Sequence, residues 1–200
     1  MIHMNLNLSI FDCYLICINV IGFILFAINT WLYSHTDEKQ IDALLTITSL
    51  LGGSLGIVIA IFLIDRKAVK GNMMSRVFVF CVLVVQIILF LILKGHISNE
   101  MTVAVWEFFN AHKILLGYLL VINIVTFIVF AIDKRNAIER RSRIRIVTLL
   151  GLSFIGGSIG GMIAMYTLRH KTQKDYFTVG EPLILIMQCV VLFYIMNAKW

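Results

Sequence analysis

The sequence predicts an all-α, polytopic membrane protein in which six hydrophobic helical segments form two tandem three-segment repeats. Three observations lead there. Uncharged runs occupy residues 13–33, 43–64, 77–93, 114–132, 146–168 and 182–198, each close to the ~20 residues that a helix needs to cross a bilayer core. Mean hydropathy is +0.94, with 60% of residues hydrophobic and only 14% charged, which leaves too little polar surface to keep a fold dispersed in water. A shift of 104 residues aligns 18–70 with 122–174 without gaps, and 17 of those 53 positions are identical.

The first run begins just after Asp12 and has neither a basic leader nor a small-residue cleavage pattern, so it is expected to be a retained helix rather than a signal peptide. The second and fifth runs carry the glycines. Gly52 and Gly56, Gly156 and Gly160, and Gly157 and Gly161 are each four apart, a spacing that puts small residues on one helix face where a neighbouring helix packs closely. The third and sixth runs, at 17 residues, fall slightly short of a ~30 Å core, and Arg76, Lys94 and Lys199 extend their reach by snorkelling. Between the third and fourth, Trp106, Phe108 and Phe109 beside Glu107 predict a short helix at the membrane interface. Pro182 opens the last run, where a missing N–H costs least. Cys13, Cys17, Cys81 and Cys189 all lie in apolar runs and read as packing residues, not as metal ligands or a disulfide.

The alignment pairs Asn19 with Asn123, Phe23 with Phe127, Gly52-Gly53-Ser54 and Gly56 with Gly156-Gly157-Ser158 and Gly160, and Lys67 and Lys70 with Lys171 and Lys174. It divides the chain into a first membrane repeat at 1–93, an interfacial connection at 94–113 and a second repeat at 114–200. Polar chemistry is concentrated in the second copy. Asp133-Lys134-Arg135 stands where the first copy has Asn29-Thr30-Trp31, and Arg169-His170-Lys171-Thr172 where it has Asp65-Arg66-Lys67-Ala68.

The order Ala131-Ile132-Asp133-Lys134-Arg135, a basic connection ending in Arg143-Ile144, then Gly156-Gly157-Ser158-Ile159-Gly160, then Arg169-His170-Lys171-Thr172 with Lys174 and Phe177, resembles an uncharacterised bacterial membrane family, domain of unknown function 1294. The resemblance covers about 118–195, and residues 17–70 look like a degenerate copy. It implies a membrane location and no established activity. Members of that family typically continue Arg-Ile with Pro-Glu, whereas this chain has Arg145 and Ile146, so any role of that acidic residue is missing.

Two topologies are open. If all six runs cross, Lys and Arg divide 11 to 6 between the two sides; if 43–64 and 146–168 are re-entrant hairpins bent at their glycine pairs, the split becomes 14 to 3. The positive-inside tendency favours re-entry. Non-helical backbone in lipid is costly, however, and 22 and 23 uncharged residues suit one straight crossing, so full spanning is the favoured expectation. Both place the 133–145 loop in the cytoplasm of a multi-pass cell-membrane protein.

No nucleophile elbow, phosphate-binding loop or zinc-protease motif is present, and the residues lean away from an enzyme, with His170 the one plausible acid or base. No cofactor or metal is expected. The candidate site is Asp133, Lys134 and Arg135 with Arg169, His170, Lys171 and Lys174, basic side chains at a membrane boundary suited to an anionic lipid headgroup or phosphate, with Asp133 orienting one cation. The competing description makes them orientation signals without a ligand. Asn19, Asn123 and Gln188 are amides inside apolar runs and are expected to bond to neighbouring helices. The expected partners are the bilayer, anionic lipid, and another copy or a membrane protein; the +6 charge follows from orientation, and no nucleic-acid-binding pattern accompanies it. A non-enzymatic membrane binding or assembly protein is the leading class, with a small transporter or channel built on the duplicated unit as the alternative.

Overall fold

The computed structural model describes residues 10–35, 42–65, 72–98 and 101–199, and Lys67 and Lys70, paired above with Lys171 and Lys174, lie outside them. The described residues form helices α1 (Ile10–His35), α2 (Asp42–Thr48), α3 (Ser54–Leu63), α4 (Met73–Leu93), α5 (Val105–Ala111), α6 (Lys113–Ile138), α7 (Ile146–Leu152), α8 (Ser158–Thr167), α9 (Asp175–Thr178) and α10 (Gly180–Asn197). The chain divides into two compact bodies, Met1–Ala68 and Val69–Trp200. Six stretches are long and apolar enough to cross a membrane; the protein is all-helical and polytopic in composition, as expected.

The path of two of those stretches departs from the straight crossing favoured above. In the second body, Gly156 has φ 129° and breaks the apolar run 146–168 into α7 and α8. These limbs have 7 and 10 residues, about 10 and 15 Å at ~1.5 Å per residue, and neither alone spans a ~30 Å core. The bend rests against Leu119 and Ile122 of α6. Ile144, just before α7, and His170 and Lys171, just after α8, all bond to Asp133. The run therefore descends antiparallel to α6, turns at Gly156 and returns parallel to it, leaving on the side where it entered. Hydropathy counts residues, not direction, and one left-handed glycine reverses the chain without adding a charge.

Such a bend frees backbone groups that lipid cannot satisfy, and side chains from α6 and α10 take them up. Tyr118 Oη donates to the Ile155 carbonyl (2.7 Å) and Asn123 Nδ2 to that of Gly156 (2.9 Å), while the Gly160 N–H donates to Asn123 Oδ1 (2.7 Å). Gln188 Nε2 donates to the carbonyls of Ser153 (2.6 Å) and Phe154 (3.1 Å), and Ser158 Oγ donates to Gln188 Oε1. These amides do bond across helices, and their partners are the turn. The glycines serve different ends. Gly156 supplies the left-handed residue, whereas a Cβ on Gly160 would sit 2.1 Å from the Asn123 carbonyl oxygen and one on Gly157 2.0 Å from Thr126 Oγ1.

The first body has the same local pattern. Gly52 has φ 114° and separates α2 from α3, Tyr14 Oη donates to the Leu51 carbonyl (2.6 Å), and the Gly56 N–H donates to Asn19 Oδ1 (2.8 Å). Gly56 lies at Asn19 and Ile57 at Gly22, so α3 advances along α1 in the direction of α1.

Around the second hairpin, α10 runs antiparallel to α8, with Glu181 at Gly161 and Gln188 at Ser158, and α4 lies along α10 in the same direction, with Val77 at Gly180. At the far end Ile97 pairs with Ala198, and the Asn197 side chain exchanges hydrogen bonds with the Thr102 backbone. A core of Phe130, Leu149, Leu150, Met165, Phe177, Ile184 and Met187 fills the space between these helices.

Candidate functional site

Helix α6 continues six residues beyond its apolar run, so Asp133, Lys134 and Arg135 are on a helix, and the connection expected as a 133–145 loop is irregular only after Ile138. The helix stops where Arg140 turns left-handed (φ 55°). Helix α8 ends in a motif that usually has glycine at its left-handed position. Here Arg169 (φ 46°) holds it, its N–H donating to the Tyr166 carbonyl and that of His170 to Met165. Lys171 is left-handed as well (φ 63°). These two reversals turn His170 and Lys171 back onto the end of α6.

The focus is Asp133, whose side chain is 0% exposed. Its Oδ1 accepts the Ile144 N–H (2.8 Å), and its Oδ2 accepts His170 Nε2 (2.8 Å) and Lys171 Nζ (2.7 Å). Lys171 Nζ also lies 4.8 Å from the centre of the Phe177 ring, which meets Phe130 edge to face at 5.6 Å. The buried carboxylate is thus paired with a cation that itself lies over a buried aromatic ring, the arrangement a buried charge requires. Beside it Lys134 Nζ donates to the Leu168 carbonyl at the end of α8 (2.5 Å), a cation on a helix C-terminus.

Of the seven candidate residues, Asp133, His170 and Lys171 therefore meet directly, and Lys134 joins the same junction through backbone. Arg135 turns outward to Glu139 (2.6 Å) with its side chain 76% exposed, and Arg169 and Lys174 are at least partly exposed as well. A polar seam lies deeper. Glu181, 0% exposed, accepts Ser153 Oγ on Oε1 (2.8 Å), and Ser158 and Gln188 continue the seam. Sequence reasoning singled out Gln188 but not Glu181, which stands beside Pro182 at the edge of an apolar run and reads there as a boundary charge.

Helices of this length and apolarity define an integral membrane protein of unknown activity. The profile of the family described as "Protein of unknown function (DUF1294)" matches residues 123–177, which contain the bend and the Asp133 junction. The chain is 35% identical over 79 residues to "Uncharacterized protein YsdA" of Bacillus subtilis (strain 168), an alignment covering 40% of this chain and 89% of that protein. The chain belongs to this family. No solved structure matches it.

Proposed function

We propose that this chain is a non-enzymatic membrane binding or assembly protein whose basic boundary faces the cytoplasm and contacts anionic lipid headgroups. The observation that carries this reading is the convergence of Ile144, His170 and Lys171 on Asp133, which brings both connections of the hairpin to one boundary. Arg140, Arg141, Arg143, Arg145, Arg169 and Lys174 lie there with exposed or half-buried side chains, against Lys94, Lys113 and Lys199 at the opposite end of the second body. That asymmetry supports cytoplasmic orientation through the positive-inside tendency, and an exposed basic rim attracts an anionic leaflet. Asp133, His170 and Lys171 act as the clasp that holds the hairpin, and the outward arginines as the lipid contact. Native mass spectrometry of the full chain released from mixed phosphatidylglycerol and phosphatidylcholine micelles tests this: preferential retention of phosphatidylglycerol is expected, and equal retention refutes the lipid contact.

The seam of buried Glu181, Ser153 and Ser158 with half-buried Gln188 favours a second reading, a small transporter or channel, since ionisable and polar groups within the bilayer commonly mark a pathway. Solute or ion flux in proteoliposomes separates the two.

A further inference from the structure

We propose that Glu181 is a membrane-embedded, reversible proton-binding site seated between the two limbs of the hairpin, with the proton carried on carboxyl oxygen Oε2. The side chain is 0% exposed and lies between Ser153, at the bend, and Gly161 of α8. Oε1 accepts the Ser153 hydroxyl at 2.8 Å. Oε2 is sealed from solvent and has no hydrogen-bond partner among the described residues. A Cβ at position 161 would sit 3.1 and 3.3 Å from the two carboxyl oxygens, so a larger residue there would press on the carboxyl itself.

An acidic group so enclosed needs a counter-charge. The titratable side chains on the elements packed against α10 are Arg76 and Cys81 of α4, Tyr166 of α8 and Asp175 and Tyr176 of α9, with Cys189 and Tyr194 further along α10 itself. The hydrogen-bond partner of Glu181 is the Ser153 hydroxyl on Oε1, and Oε2 accepts a hydrogen bond from none of these groups. A proton cancels the charge without requiring added volume, whereas a hydrated cation needs a cavity. Release of that proton leaves a carboxylate that must meet water, and so requires the seam between α10 and the hairpin to open. Proton exchange at Glu181 and movement of the hairpin are thereby linked, whether or not the basic rim binds lipid.

Infrared difference spectroscopy of the full chain in proteoliposomes, titrated from acidic to alkaline buffer, tests the site. A carbonyl stretching band of a neutral carboxylic acid, shifted by deuterium exchange, is expected at neutral pH, converting reversibly to carboxylate in alkali and lost in Glu181→Gln. In Ser153→Ala, which removes the hydrogen bond at Oε1, the same band is expected at higher frequency, a readout that stands even if the glutamine variant fails to fold. Loss of no acid band on removing Glu181, or a Ser153→Ala spectrum unchanged, overturns the assignment. An acid band that persists at every pH overturns reversibility, and conversion driven by sodium at constant pH, absent with choline, overturns the proton as occupant.

Discussion

Asp133 and His170 stand 37 residues apart in sequence and 2.8 Å apart in space, Oδ2 to Nε2. The same 37-residue spacing relates Tyr118 to Ile155 and Asn123 to Gly160. Contacts at one fixed offset describe two stretches of chain advancing in parallel, which for stretches joined by about twenty residues requires that the chain first travel the other way. The hairpin of α7 and α8 is that reversal, and Asp133 closes it.

Breaking the clasp should loosen the hairpin. Asp133→Asn removes the charge that Lys171 meets, and losing one partner of a buried ion pair costs about 3 kcal/mol. Thermal unfolding in detergent should show that loss, and the double variant with Lys171→Met should recover part of it, giving a coupling above ~1 kcal/mol. Purely additive effects would mean that the pair contributes nothing.

Glycine substitutions should sort by geometry. Gly160→Ala drives a methyl group into the Asn123 carbonyl and is expected to cost about 1–3 kcal/mol. Gly156→Ala places alanine at φ 129°, with an expected cost of about 1–3 kcal/mol. Gly151 is helical with open space around it, so Gly151→Ala should be neutral or stabilising by up to ~1 kcal/mol. Equal melting temperatures for the three variants would contradict the assignment.

The bend should depend on its amides. Gln188→Leu strips partners from the Ser153 and Phe154 carbonyls, and each buried group left unsatisfied costs about 1–3 kcal/mol. Hydrogen exchange should rise around residues 153–158 in that variant while α4 stays protected; unchanged exchange at the bend would show that other groups satisfy it.

Much of this architecture is legible in the amino-acid order. The apolar runs locate the long helices, the 104-residue shift pairs Asn19 with Asn123, and the polar order of the second copy puts Asp133, His170 and Lys171 among seven candidate residues. What the order leaves open is direction, because the charge split favours re-entry while the lengths of the glycine-bearing runs favour a straight crossing. Gly156 serves equally as a packing residue in a straight helix or as the left-handed residue of a turn, and the choice is made by Tyr118, Asn123 and Gln188, which lie on other helices. Glu181 is hidden for the same reason, since its burial depends on Ser153 and Gly161.

Lipid attraction should scale with the exposed arginines. At ~1 kcal/mol for each basic residue near an anionic surface, replacing Arg140, Arg141 and Arg143 by glutamine should weaken phosphatidylglycerol retention on the order of 100-fold at low salt, and raised salt should shrink the difference. Retention unaffected by either change would leave these residues as orientation signals alone.

The re-entrant path is tested most directly by the sidedness of its two ends. In a background with Cys13, Cys17, Cys81 and Cys189 replaced by alanine, single cysteines introduced as Arg141→Cys and Gln173→Cys flank the hairpin, and His96→Cys reports the far end of the second body. A membrane-impermeant thiol reagent applied to sealed vesicles of known orientation should label positions 141 and 173 from the same face and position 96 from the other. Labelling of 141 and 173 from opposite faces would establish a straight crossing and contradict the hairpin closed at Asp133.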